Sequence, residues 1–159
     1  MREIGAAEIF ISGRAHVDYS AFGCRVLRDK RPDLGPLAGI ERALDSATTP
    51  QLLVLAVDLP QMSAGVLRRL AAACSETCGT IPRLANHLEP LVAFYPKSAC
   101  TLAATQIACG HFAVKDFATL CLQSGLARII EIPAEISPHF ANCNSPADFH
   151  CHVQSKRNG

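Results

Sequence analysis

Apolar residues along the chain fall into short runs and helical repeats that alternate with each other. Runs typical of strands occupy residues 8–12, 25–27, 80–84, 91–95 and 127–132. Repeats with apolar residues three or four apart occupy residues 36–44, 63–74, 97–108 and 114–124. Strands that alternate with helices predict an α/β domain with three layers, in which helices flank a mostly parallel, Rossmann-like sheet.

Several residues mark where the predicted helices begin and end. Pro36 suits the first turn of a helix, and Ser63 suits an N-cap. Gly110 and Gly125 follow the last residues of two helical repeats, where glycine commonly ends a helix. A further short helix is predicted to begin at Pro146.

The run from Val54 to Pro60, with the sequence VLAVDLP, is apolar except for Asp58 near its end. We expect a strand here, with Asp58 at its carboxyl end, where open α/β sheets bind ligands. Burying an unpaired carboxylate is costly, so Asp58 should meet a cation, a hydrogen-bond donor or water. Mg²⁺ commonly uses one or two protein carboxylates together with substrate phosphates. The alternative is an aspartate that caps the turn to the next helix, with Pro60 ending the strand.

Length and composition narrow the class of protein. The 159 residues suit one domain spanning 1–159, and a hydrophobic fraction of 49% argues against disorder. A net charge of +1 gives no basic surface for nucleic acid. We find neither an apolar run long enough to span a membrane nor a signal peptide, so we expect a cytoplasmic protein. The 8 cysteines form no C-x-x-C pair and are expected to be free thiols.

Three further segments resemble one family when they are taken in order together with VDLP at 57–60. They are VLRD at 26–29 leading to GPLAGI at 35–40, LEPLVAFY at 88–95 and FANCNSPADF at 140–149. This combination resembles the molybdenum cofactor guanylyltransferases, the MobA-like nucleotidyltransferases, over nearly the whole chain from about residue 7 onward. The resemblance implies a nucleotidyltransferase fold.

The resemblance also implies a reaction and a set of residues. A terminal phosphate of molybdopterin would attack the α-phosphorus of GTP, and pyrophosphate would leave, with Mg²⁺ steadying the charge. Asp58 matches the catalytic, metal-binding aspartate, which also contacts the nucleotide, and Asp29 and Gly35 match guanine-nucleotide contacts. Asn142 and Asn144 match the N-x-N that binds the substrate. Without the family match, a helix entry is the favoured role of Gly35, and the N-x-N also suits a turn before Pro146, a role that can hold together with substrate binding.

The partners implied by the resemblance are GTP and molybdopterin, with molybdoenzymes or other cofactor-biosynthesis proteins as candidate protein partners, and no nucleic acid or membrane. One family segment has no match in the sequence: an N-terminal strand followed by a glycine-rich loop of the form LAGGxSxRMGxDK. Residues 9–14 instead resemble the family's second strand and its turn. We therefore expect a sheet that lacks its N-terminal, inner strand, a missing phosphate cradle, and little or no activity, as from a mis-called start codon or a truncated gene.

Three other functions stay open at this stage. One is a nucleotidyltransferase of the same fold that uses CTP or activates a sugar phosphate, and another is a non-catalytic family member that holds the cofactor. The third is a zinc or redox protein, suggested by the run His150, Cys151 and His152 and by the pair Cys74 and Cys78. The other histidines, at 16, 87, 111 and 139, are expected on the surface.

Overall fold

The computed structural model describes residues 2–13, 16–28 and 34–143. Its strands are β1 (Phe10–Ser12), β2 (Arg25–Leu27), β3 (Gln51–Leu55), β4 (Gly79–Leu84), β5 (His87–Leu88), β6 (Val92–Pro96) and β7 (Ala127–Glu131). Its α-helices are α1 (Pro36–Ser46), α2 (Ala64–Ala72), α3 (Cys100–Ala108) and α4 (Val114–Gln123). Short 3-10 helices occupy Arg2–Ile4, Ser20–Phe22, Lys97–Ala99 and Ser137–Phe140. The helix predicted at Pro146 lies outside the described residues.

The strands form two sheets. β1 and β2 pair in parallel, and the larger sheet has the order β3, β6, β4, with β7 parallel to β4 and the short β5 antiparallel to it. Both β3 and β4 are antiparallel to β6, so β3, β4 and β7 run in one direction and β6 runs against them. The predicted α/β class with a mostly parallel sheet flanked by helices is confirmed, and the reversed β6 is a detail that the sequence did not indicate.

Alternating side chains of the larger sheet fill two cores, one on each face. Ala93 and Tyr95 of β6 pack with buried residues of α1, α3 and α4, which include Leu37 and Phe117. Val92 and Phe94, the alternate residues of the same strand, pack with α2 through Val66, Leu67 and Leu70. The period of two along β6 therefore separates the helical layers and produces the three-layer architecture.

The strand β3 is less buried than its apolar sequence suggests. All five of its residues are only half-buried, whereas all five residues of the neighbouring β6 are buried. Within the described residues β3 pairs with β6 alone, and neither β1 nor β2 pairs with the larger sheet. The two sheets are nevertheless neighbours, because α1 packs against strands of both and Thr48 Oγ1 donates a hydrogen bond to Glu8 at 2.6 Å. The edge of β3 that faces away from β6 therefore has no strand partner among the described residues.

A membrane-spanning helix is absent from the described part of the chain, in which no helix is both long and apolar enough.

Candidate active site

Residues 57–62, which we call the Asp58 turn, follow β3 without being part of it. The strand ends at Leu55, and the amide of Ala56 still donates to the carbonyl of Leu91 at 2.8 Å, so the chain leaves the sheet only after that residue. The expectation that Asp58 is the last residue of the strand is therefore wrong by three residues. Val57 is fully exposed and Leu59 is 9% exposed, so the turn is fixed to the core by the residue that follows Asp58. Asp58 therefore lies three residues past the carboxyl end of β3 instead of at it.

One carboxylate oxygen of Asp58 is buried and has no partner. The side chain as a whole is half-buried, but its Oδ1 is out of contact with solvent and makes no hydrogen bond within the described residues. The same is true of Oε1 of Gln51, at the other end of β3. A desolvated carboxylate oxygen without a donor is destabilising by about 1–3 kcal/mol, so this oxygen would gain from accepting a hydrogen bond or binding a cation.

The C-terminal segment that contains Asn142 lies against the Asp58 turn. The amide of Cys143 donates to the carbonyl of Asp58 at 2.8 Å, which places the first asparagine of the N-x-N next to this turn. The side chain of Asn142 is exposed and therefore accessible to a ligand. The structure thus brings together Asp58 and Asn142, which are 84 positions apart in sequence. Asn144, the second asparagine, lies outside the described residues.

Gly35 lies at the start of α1 in a conformation that only glycine adopts readily. It precedes Pro36, has φ 72° and ψ −171°, and is exposed. Among the described residues other than its two chain neighbours, no atom lies within 4 Å of the position that a Cβ would take, and the positive φ angle favours glycine here. The helix-entry prediction is confirmed, while the nucleotide contact of Gly35 stays a prediction. Asp29, its predicted companion, lies outside the described residues.

The zinc and redox alternative finds no support among the described residues. They contain no group of three histidine, cysteine, aspartate or glutamate side chains that could hold a metal ion. Cys74 contacts Thr80 Oγ1 at 3.5 Å, and burial raises the pKa of its thiol; burial also raises the pKa of Cys121 to about 12. Both thiols are therefore protonated and poorly nucleophilic at neutral pH. The run from His150 to His152 lies outside the described residues.

Sequence reasoning missed one contact of the site. His16, His87 and His111 are exposed as expected, but His139 is half-buried and its Nδ1 lies 2.6 Å from the carbonyl oxygen of Gln61. The expectation of a surface histidine is wrong at this position. No local pattern in the sequence predicts this contact, because its two residues are 78 positions apart and most strands of the larger sheet lie between them in the sequence.

The LEPLVAFY segment is held by a buried tyrosine. Tyr95 is fully buried, and its hydroxyl donates to the carbonyl of Pro90 at 2.9 Å. The amide of Glu89 donates to the carbonyl of Pro82 at 2.9 Å, and burial raises the pKa of the Glu89 carboxyl, opposed by His87 and Lys115. These hydrogen bonds fix the conformation of the segment that leads into β6, the strand with which β3 pairs.

Replacing Tyr95→Phe tests the contribution of this hydroxyl. The substitution keeps the ring against Phe117, whose centroid lies 5.1 Å away, and leaves the Pro90 carbonyl buried without its donor. We expect the free energy of unfolding to fall by about 1–2 kcal/mol in urea denaturation with an unchanged slope. An equally stable variant would show that the bond contributes nothing net.

Comparison with known proteins identifies the family. Residues 1–117 match the model of the MobA-like NTP transferase domain. A probable molybdenum cofactor guanylyltransferase of Opitutus terrae is 32% identical over 151 residues, which cover 93% of this chain and 75% of that protein. A protein of the same name from Pelotomaculum thermopropionicum is 30% identical, over 89% of this chain and 70% of its own length.

Solved structures agree with this match. The molybdopterin-guanine dinucleotide biosynthesis protein A of Archaeoglobus fulgidus superposes with a TM-score of 0.66 at 25% identity, over 86% of this chain and 71% of that one. The 2-C-methyl-D-erythritol 4-phosphate cytidylyltransferase of Thermus thermophilus superposes with a TM-score of 0.71 at 19% identity, over 96% of this chain and 83% of that one. At this identity the likeness shows the fold alone. The chain is thus a member of the MobA-like NTP transferase family of nucleotidyltransferases.

Proposed function

We propose that this protein acts in molybdenum cofactor biosynthesis, transferring GMP from GTP to molybdopterin and releasing pyrophosphate. The observation that carries the proposal is the buried, unpartnered Oδ1 of Asp58, beyond the carboxyl end of β3 and next to the N-x-N segment. The names of the relatives in Opitutus terrae and Pelotomaculum thermopropionicum support guanylyl transfer. We also propose that the reaction takes place in the cytoplasm and that molybdoenzymes or other proteins of cofactor biosynthesis receive its product.

In the proposed reaction an oxygen of the terminal phosphate of molybdopterin forms a bond to the α-phosphorus of GTP. The bond from that phosphorus to the oxygen bridging to the β-phosphate breaks, and pyrophosphate leaves with the electron pair. The protein contributes positioning and charge rather than covalent chemistry. Asp58 lies on the nucleotide side and Asn142 on the acceptor side, and Asn144, Asp29 and Gly35 complete the proposed contacts.

Asp58 also suits a divalent cation. Its orphaned oxygen is a hard, anionic ligand, and Mg²⁺ usually takes only one or two protein carboxylates and fills its remaining positions with phosphate oxygens and water. When bound, Mg²⁺ would neutralise charge on the phosphates. Asp58 would hold the nucleotide's cation at the sheet edge, and the exposed Asn142 amide would face phosphate or water bound there.

No segment of the given sequence matches the family's glycine-rich phosphate loop, and β3 has one edge without a partner among the described residues. CTP is the less favoured nucleotide, because the likeness to a cytidylyltransferase at 19% identity shows only a shared fold.

Product formation tests the proposal. The protein is incubated with molybdopterin, Mg²⁺ and either GTP or CTP, and the dinucleotide product is quantified by mass spectrometry, with the Opitutus terrae relative as reference. We expect the guanine product to form in preference to the cytosine product, and to be lost with EDTA. A cytosine product in preference to the guanine product, or a guanine product that forms equally well in EDTA, would overturn the proposal.

A further inference from the structure

The segment from Ser137 to Cys143 is attached to the Asp58 turn at three points. Phe140, the last residue of its 3-10 helix, is 7% exposed and packs in the same core as Leu59. The amide of Cys143 donates to the carbonyl of Asp58 at 2.8 Å, and His139 Nδ1 lies 2.6 Å from the carbonyl oxygen of Gln61. We call residues 137–143 the strap.

The contact of His139 has a fixed direction. A backbone carbonyl oxygen only accepts hydrogen bonds, so Nδ1 of His139 carries the proton in this contact and donates it to Gln61. The turn itself is closed by the amide of Met62, which donates to the carbonyl of Leu59 at 3.2 Å. The strap thus holds the carbonyl of Asp58, just before Leu59, and the carbonyl of Gln61, which lies between the two residues whose hydrogen bond closes the turn.

Packing alone does not orient Asp58. Its neighbour Val57 is fully exposed, the orphaned Oδ1 has no donor to fix its direction, and the Leu59 side chain anchors only one side of the turn. A side chain that must meet a cation within a few tenths of an ångström needs support from surrounding hydrogen bonds. Among the described residues, His139 supplies the side-chain hydrogen bond from the strap to this turn.

We propose that His139 is a positioning residue, which acts through the Gln61 carbonyl to hold the Asp58 turn in the geometry that binds the nucleotide's divalent cation. The proposal rests on the proposed function, because it assigns a role at the same site. It also couples the two sides of that site, since the strap that contacts the Asp58 turn itself contains Asn142. His139 itself touches neither substrate nor metal.

The test compares three histidine variants of the full chain. His139→Leu removes the donor and keeps a side chain of similar bulk, while His139→Asn places an amide N–H close to the position of Nδ1. His111→Leu is the matched control, because His111 is exposed and lies in the turn after α3. The affinity for Mn²⁺ at saturating GTP is measured by electron paramagnetic resonance, and the free energy of unfolding is measured without ligand.

We expect His139→Leu to weaken Mn²⁺ binding about tenfold, and His139→Asn to restore it to within about threefold of wild type, because one hydrogen bond is lost and then replaced. The control should bind like the wild type. Equal Mn²⁺ affinity in wild type and His139→Leu would overturn the positioning role and leave the proposed function intact. A wild-type protein that binds no Mn²⁺ with GTP would overturn both.

A merely structural role predicts another pattern. In that case both His139 variants would be less stable to the same degree, and Mn²⁺ affinity would follow stability instead of being rescued by asparagine. If His139→Leu fails to fold, His139→Ser replaces it, because serine removes the ring without adding bulk to this half-buried position. Rescue by His139→Asn relative to His139→Ser supports the proposal, and its absence contradicts it.

Discussion

Replacing Asp58→Ala is expected to abolish stabilisation of the protein by GTP and Mg²⁺ without lowering its stability in their absence. The buried Oδ1 lacks a partner, so removing it relieves a cost and should leave the unliganded protein unchanged or more stable by about 1 kcal/mol. A ligand that binds only the native state at a hundred times its Kd stabilises by about 2.7 kcal/mol, and this gain should disappear. Urea denaturation with and without the ligands measures both effects.

Asp116→Ala is the matched control, because Asp116 is an exposed aspartate in the first turn of α4. This variant should keep the ligand-dependent gain of the wild type. If Asp58→Ala keeps that gain, Asp58 does not hold the nucleotide's cation. If it loses more than 1 kcal/mol without ligand, its carboxylate serves the fold, as a capping aspartate would.

Replacing Gly79→Ala is expected to cost about 3 kcal/mol of stability or more, because it forces apart two strands of the larger sheet. Gly79 begins β4, and a Cβ there would lie 2.0 Å from the carbonyl oxygen of Phe94 in β6. Neither atom can turn aside, since the position of a Cβ is fixed by its own backbone and the Phe94 oxygen belongs to the backbone of a buried strand. The loss should appear in urea denaturation and as faster amide exchange in β6.

Gly65→Ala provides the control for this substitution. Gly65 is exposed in the first turn of α2, and a Cβ there would meet nothing closer than the hydroxyl of Ser63 at 3.8 Å. Alanine at that position should stabilise the helix by roughly 0.5 kcal/mol. Two glycine variants with similar stabilities would contradict the close approach of β4 and β6.

Local signals in the sequence predicted most of the elements, because helix and strand periods and end residues are local properties. Ser63 does cap α2, accepting from the amide of Val66 at 3.3 Å, and Gly110 and Gly125 have positive φ angles after their helices. The short β5 went unrecognised, because its turn uses Ala85 at φ 50° instead of a glycine. When tertiary packing holds a residue at a strained backbone φ angle, no local pattern in the sequence predicts that angle.

The site was predicted one residue at a time, and its assembly was not. The apolar run before Asp58 placed that residue beyond a strand, but the run alone could not show that β3 ends at Leu55 or that one edge of it lacks a partner in the described residues. The contacts from His139 and Cys143 to the Asp58 turn depend on how distant segments pack. Such long-range hydrogen bonds follow no fixed period or spacing along the chain, so a sequence pattern does not predict them.

The wild-type protein should bind GTP through a divalent cation. Calorimetric titration of GTP, in the presence of Mg²⁺ and again in EDTA, measures this dependence. We predict binding with Mg²⁺ and at least a tenfold loss of affinity in EDTA, with CTP weaker than GTP when Mg²⁺ is present. Equal GTP affinity in Mg²⁺ and in EDTA would show that no divalent cation links the protein to the nucleotide.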